Sequence, residues 1–238
     1  VSLRYALVSD VGSLRERNED SARALPERGL FVVADGMGGH VGGDIASQLA
    51  VERFIETVLE RPEPSGDEET SQVLLAAARA ANTEVLRCAA ERRLWGMGTT
   101  LTGALVRGRN VSLVHVGDSR AYLANQKLTQ LTRDHTVVSM LVGSGILSES
   151  EAHLHPERHV LVQAVGTQIQ IEPDLLHTRI PRGTSLLLCS DGLHDVVPPE
   201  TILECTQTPD LQEAAAALIA AANACGGPDN ITVILVAP

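Results

Sequence analysis

The apolar segments of this chain come in blocks, and that order restricts the fold more than any other feature. Residues 3–9 (LRYALVS) and 30–34 (LFVVA) read as strands, the second rich in β-formers. Residues 44–60 show helical spacing, with Ile45, Leu49, Phe54, Ile55 and Val58 on one face, and 70–94 read as a second long helix with an Ala-rich face. Strands are then expected at 99–107, 110–116, 119–124 and 127–131. The stretch 134–160 is less regular, a surface excursion with short helical turns near 137–142 and 148–153. Strands at 175–180 and 184–189, an Ala-rich helix at 210–223 and a last strand at 231–236 complete the chain. Strands and helices do not alternate as βαβ units, so the expected class is α+β with a mostly antiparallel β core. Residues 61–69 (RPEPSGDEE) read as a solvated connector. No repeat, low-complexity tract or composition shift divides the chain, and one domain over 1–238 is expected.

Composition narrows the function. Hydrophobic residues make up 44% and charged residues 21% of the 238, enough apolar surface to offset chain entropy. The aromatics are few (Tyr5, Phe31, Phe54, Trp95, Tyr122), so the core must be aliphatic and a base-stacking platform is excluded. A net charge of −11 argues against duplex nucleic acid. Lys127 is the single lysine and follows no glycine-rich loop, which removes a P-loop. Cys88, Cys189, Cys205 and Cys225 stand far apart and read as reduced thiols. No apolar run reaches about 18 residues, and no secretory pattern opens the chain. A cytoplasmic setting is expected. A first residue that is Val, not Met, points to a processed or excised piece of something longer.

Four aspartates share one local context. Asp35 ends the 30–34 run and precedes Gly36; Asp118 follows LVHVG; Asp191 follows LLLCS and precedes Gly192; Asp229 sits in a Gly-Pro turn before the last strand. A strand end fixes such a carboxylate while leaving it at a loop surface, and the adjacent Gly permits close approach. Acids gathered in this way repel one another unless a cation lies between them. An oxygen-only donor set suits Mg²⁺ or Mn²⁺, and a pair of such ions suits phosphoryl chemistry. Each Asp-Gly taken alone reads as a turn. The stretch Arg15-Glu16-Arg17-Asn18-Glu19-Asp20 adds guanidinium groups able to grip a phosphate beside further acids. Other motifs fail: Val41 stands where a dinucleotide-binding loop needs Gly, no nucleophile elbow occurs, and His153, His155 and His159 lack a nearby Cys or fourth His for zinc.

Taken in order, these pieces resemble the bacterial branch of the metal-dependent Ser/Thr protein phosphatases, the PP2C-like or PPM family. The matching blocks are Arg15-x-x-Asn18-Glu19-Asp20, Val33-Ala34-Asp35-Gly36-Met37-Gly38-Gly39-His40, Met97-Gly98-Thr99-Thr100, His115-Val116-Gly117-Asp118-Ser119-Arg120, Asp134-His135-Thr136, Cys189-Ser190-Asp191-Gly192-Leu193 and Gly227-Pro228-Asp229-Asn230. The resemblance implies a four-layer α-β-β-α sandwich with a dinuclear Mn²⁺/Mg²⁺ site at one edge of the β core. It implies that Asp35 bridges both metals, that the Gly36 carbonyl binds one, and that Asp191 and Asp229 hold the other. Glu19 would reach a metal through water, Asp20 would support the shell, and Arg15 would grip the substrate phosphate. A third, weaker metal site would use Asp118 with Asp191. Residues 143–166 match a mobile flap over the site.

Met37 stands where animal members carry a His proposed as general acid; His40 is the nearby substitute, with water as the other proton source. The implied reaction is hydrolysis of phosphoserine and phosphothreonine by a metal-bridging hydroxide. The implied partners are phosphoproteins, among them a Ser/Thr kinase, and the expected state is a monomer. Two alternatives belong with this reading: a non-catalytic regulatory module of the same fold, and a phosphatase dedicated to a small phosphoester or a single regulator.

Overall fold

The structure is a computed structural model, and it describes residues 3–37 and 42–238. Two antiparallel sheets stack face to face. The first orders β1 (Arg4–Asp10), β11 (Ile231–Ala237), β10 (Ser185–Cys189), β7 (Arg120–Ala124) and β8 (Leu128–Gln130). The second orders β2 (Asp20–Leu25), β3 (Leu30–Met37), β5 (Leu101–Arg107), β6 (Asn110–Val116) and β9 (Asp174–Arg179), with the short β4 (Gly98–Thr99) also on β3. Helices α1 (Gly43–Leu59) and α2 (Asp67–Arg92) cover the second sheet. Helices α6 (Pro199–Thr206) and α7 (Leu211–Ala224) cover the first. The result is the four-layer α-β-β-α sandwich. Two short helices, α3 (Val137–Gly143) and α4 (Glu149–Leu154), lie in the excursion between β8 and β9, and α5 (Asp191–His194) follows β10 directly.

Strand alternation builds the layers. In β3, Leu30, Val32 and Ala34 face α1 and α2, while Phe31 and Val33 face the opposite sheet. In β11, Ile231, Val233 and Leu235 face α7, while Ile234 and Val236 point between the sheets. The low aromatic content shows in the packing. The helix-facing layer is mostly Ala, Val and Leu, and its one large ring, Phe54, is fully buried where Gly103 leaves room; a Cβ there would meet Phe54 Cζ at 2.6 Å. Burying that ring contributes on the order of 2–3 kcal/mol.

Most expected elements are present, with three differences. Residues 20–25, for which no strand is expected, form β2, whose inward residues are only Asp20, Ala22 and to a lesser degree Ala24. Such small side chains give a weak apolar alternation. The expected strand 99–107 breaks into β4 and β5 at Thr100, whose N–H turns to the Asp35 carbonyl at 2.9 Å. Helices α5 and α6 were not anticipated, because each buries only one or two apolar side chains. In α1 the buried apolar side chains are Ala46, Ala50, Val51, Phe54 and Val58, and Ile45, Leu49 and Ile55 flank them. Small residues let the helix sit close to the sheet, so the larger ones move to its sides.

Candidate active site

The inter-sheet parity of β2 and β3 delivers acids near the strand ends. In β3 the inward series 31, 33 continues to Asp35. Asp20 lies directly opposite Asp35 in the β2–β3 register. Like charges in that position destabilise a sheet unless something compensates them. From the other sheet, Ser190, at the end of β10, donates its Oγ proton to Asp20 Oδ2 at 2.7 Å and is itself braced by the Thr232 N–H at 2.9 Å. Asp191 begins α5 one residue later.

The backbone of Asp35 is held at both ends. Its N–H donates to Thr100 Oγ1 at 2.8 Å, and its carbonyl accepts from Thr99 Oγ1 at 2.8 Å and from the Thr100 N–H. Thr100 Oγ1 lies 2.6 Å from Ser119 Oγ, beside Asp118. The Gly-Thr-Thr block therefore fixes the Asp35 carboxylate relative to Asp118, and backbone pairing shows this where sequence alone did not.

The acids crowd one another electrostatically. Burial, then the charges of Asp191, Asp20 and Asp118, hold the Asp35 carboxyl well above the usual carboxylate range. Burial and the charges of Asp191, Asp134 and Asp195 do the same for Asp118. Asp191 is raised by burial and by Asp195 and Asp229. Asp20 is pushed up to about 7, chiefly by burial, with Thr232 and Ser190 hydrogen bonds acting the other way. Asp20 Oδ1 and Asp191 Oδ1 are buried with no hydrogen-bond partner among the described residues. Crowded, desolvated and under-satisfied carboxylates are the mark of a site built for a cation.

The loop before β2 completes one side. Asn230 organises it, donating from Nδ2 to the carbonyls of Val11 and Arg17 and accepting the Glu19 N–H at 2.8 Å. Glu19 is raised by burial and then by Asp44. Its side chain and Gly36 both press against Gly43; a Cβ on Gly36 would collide with Gly43 and meet the Glu19 carbonyl at 2.6 Å. The Asp-Gly pair at 35–36 thus serves a close backbone approach. Arg15 places Nη2 2.6 Å from Asp229 Oδ2 and Nε 3.4 Å from the Pro228 carbonyl. The residue expected on the substrate thus lies on an expected metal ligand. His40 lies outside the described residues.

On the other side, the excursion comes down beside Asp191. His159 Nδ1 lies 3.0 Å from Asp195 Oδ2. Among the described residues His159, Asp191 and Asp195 form a group whose ligand atoms lie within 4.8 Å of one another. The three histidines considered for zinc do not converge: His155 Nδ1 accepts the Glu157 N–H instead. Neither Asp195 nor His194 was anticipated. His194 Nε2 donates to the Asp118 carbonyl at 3.0 Å. One turn of helix separates Asp191 from Asp195, which puts both on one face, and that spacing was the available signal. A cavity of about 600 Å³ opens beneath the excursion, with Asp118, Arg133, His153, Arg158 and His159 among its walls.

Comparison with known proteins agrees with this geometry. Residues 15–231 match the family model described as protein phosphatase 2C. The chain is 46% identical over 235 residues to the serine/threonine protein phosphatase PstP of Mycobacterium tuberculosis, covering 98% of this chain and 44% of the relative. It thus spans less than half of that relative's length. It is 39% identical over 236 residues to the serine/threonine phosphatase stp of Listeria monocytogenes, covering 96% of this chain and 93% of the relative. The crystal structure of the M. tuberculosis phosphatase superposes with a TM-score of 0.90 at 44% identity, covering 99% of this chain and 98% of that one. The PstP catalytic domain in complex with two manganese ions superposes at 0.86 with 43% identity, covering 98% and 97%.

Proposed function

The chain belongs to the protein phosphatase 2C family, and from that membership we propose that it is a metal-dependent phosphatase of phosphoserine and phosphothreonine in proteins. The observation that carries the reading is the gathering of Asp20, Asp35, Asp118, Asp191 and Asp229 at one end of the β core, the first four of them raised by burial and by neighbouring acids. Two partnerless buried carboxylate oxygens and an all-oxygen donor set fit hard divalent cations such as Mn²⁺ or Mg²⁺. Asp35, the Gly36 carbonyl, Asp191 and Asp229 would hold two of them, Glu19 would reach one through water, and Asp118 with Asp191 would hold a third. Asp195 and His159 stand next to that third position. When bound, such cations supply Lewis-acid charge toward a phosphoryl group and a more acidic water.

The protein's own groups do the rest. Thr99 and Thr100 lock the Asp35 backbone, so its carboxylate cannot drift as charge develops. Ser190 keeps Asp20 oriented behind it. Arg15 is half exposed, and in leaving Asp229 for a phosphate it would present two parallel N–H donors to its oxygens. His40 or water protonates the departing Ser or Thr oxygen. The excursion around 143–166 acts as the flap of a single catalytic domain and shapes access for a protein substrate. The phosphoproteins served include a Ser/Thr kinase, and the chain acts in signalling as a monomer in the cytoplasm. No described helix is long and apolar enough to cross a membrane.

The test is hydrolysis of p-nitrophenyl phosphate and of a phosphothreonine peptide, with Mn²⁺, with EDTA, and with Asp35→Asn. Turnover that needs Mn²⁺ and falls at least about a thousandfold in the variant supports the reading. Full turnover in EDTA, or in Asp35→Asn, overturns it.

A further inference from the structure

The Asp134-His135-Thr136 block has no part in the chemistry above, yet it occupies the point where the excursion that carries the flap leaves the β core and returns to it. The outgoing end starts at His135 and Thr136, and the returning end passes back at Leu161, Val162 and Gln163. Thr136 bridges Leu161, and the Val162 N–H donates to the His135 carbonyl at 2.8 Å. The His135 side chain is bonded at both ring nitrogens. Nδ1 receives the Gly117 N–H at 3.2 Å and lies 3.1 Å from Gln163 Nε2; Nε2 lies 3.2 Å from Asp174 Oδ2. An amide N–H can only donate, so Nδ1 is the acceptor and the ring proton sits on Nε2, facing the Asp174 carboxylate. The His135 N–H also donates to the Gly117 carbonyl at 2.7 Å, so Gly117 is gripped at both of its polar groups.

Gly117 immediately precedes Asp118. Its φ of +107° belongs to glycine, and Thr100 leaves no room for a Cβ. On the far side of Asp118, Arg120 is clamped by Asp134 through three contacts of 2.6–3.0 Å. The pair Asp134-His135 therefore holds the chain just before and two residues after Asp118. A second imidazole, His115, packs against His135 in a tilted arrangement with centroids 4.9 Å apart and donates from Nε2 to the Arg133 carbonyl at 3.1 Å.

We propose that His135 is a positioning residue that ties both ends of the flap to the turn presenting Asp118, so that flap seating and Asp118 orientation change together. The role of Asp118 in turnover rests on the phosphatase reading; the mechanical link does not. Displacement of the flap by a protein substrate would be felt at Asp118 through Gly117, without any direct contact between flap and carboxylate.

Amide hydrogen exchange of the Mn²⁺-loaded chain tests the link, because the Gly117 N–H is itself one of the bonds. His135→Ala is expected to speed exchange about tenfold both at 117–119 and across 137–162, with β11 unchanged. His135→Asn, whose Oδ1 can replace Nδ1 as acceptor, is expected to restore 117–119. Gln163→Ala removes the flap-side donor to His135, together with the two bonds Gln163 makes to the Glu172 backbone, while leaving the imidazole in place; it is expected to speed 117–119 as well, which keeps the test open where the alanine variant of His135 does not fold. Long-range ¹⁵N correlation should report the Nε2–H tautomer of His135 in the unaltered chain. The proposal is overturned by flap amides that exchange faster in either alanine variant while 117–119 keep their original rates. It is equally overturned by an asparagine variant that behaves like alanine. Exchange is read without substrate, so loss of the link leaves the phosphatase reading standing. Absence of Mn²⁺-dependent hydrolysis in the unaltered chain would overturn that reading alone.

Discussion

Asp20→Asn should stabilise the metal-free chain at high pH and not at low pH. Asp20 is 9% exposed, and burial with neighbouring acids pushes its carboxyl up to about 7 from an ordinary 3.8. A carboxyl whose folded pKa lies above its unfolded value favours the fold only while protonated. Its contribution is complete below about pH 4 and is lost as pH rises through about 7. A rise of about three pH units corresponds to about 4 kcal/mol against the fold at pH 8. Asp191 and Asp35 take up part of that proton demand, so about 2 kcal/mol is a reasonable expectation for Asp20 by itself. Asparagine removes the charge and keeps an acceptor for Ser190 Oγ. For a chain of this size, that gain raises Tm by about 4–8 °C. Calorimetry in EDTA at pH 8 and pH 5, with and without the substitution, reads the effect. At pH 5 the gain should be much smaller. Saturating Mn²⁺ at pH 8 should reverse the order, since binding to the folded state stabilises the chain that binds more tightly. A variant less stable than the parent at pH 8 in EDTA, or a difference that does not depend on pH, would refute the reasoning.

Other consequences follow from the same coordinates. Phe54→Ala should cost about 3–5 kcal/mol in urea unfolding, because the ring is fully buried against Gly103 and no neighbour can fill its space. Asp134→Ala should cost about 3–5 kcal/mol by the same measurement, since it strands the partly buried Arg120 guanidinium that Asp134 holds through two oxygens. His115, lowered to about 4 chiefly by burial and then by His135, should show no imidazole titration by NMR above about pH 5. Its contribution to stability is present above about pH 6.5 and is lost as pH falls through about 4.

Much of the site was readable from residue order because strand parity is a local rule. The run 30–34 leads to Asp35, which keeps the inward parity of Phe31 and Val33 near the end of β3; on the other sheet the inward series Leu186, Leu188 leads to Ser190, and Asp191 is the next residue. What a local rule cannot give is the partner across the fold. Arg15 and Asp229 are 214 positions apart, and their 2.6 Å contact depends on Asn230 folding the 11–19 loop against the last strand. Asp195 and His159 were missed for a similar reason: a four-residue helix and a seated flap are needed to bring them to Asp191. Strand β2 was missed because its inward apolar side chains are alanines, which bury well but carry little pattern. The Thr99-Thr100 and Asp134-His135 pairs belong to the family-like blocks of the sequence, and only hydrogen bonds reveal that the first braces Asp35 and the second the chain around Asp118.

The central claim is that these buried acids are arranged around two divalent cations. Crystals grown with Mn²⁺ and measured at the manganese absorption edge test it most directly. The account predicts two strong anomalous peaks within bonding distance of Asp35, Asp191 and Asp229, with the Arg15 guanidinium moved off Asp229. A map with no peak at Asp35, in crystals whose solution protein binds Mn²⁺, would contradict it.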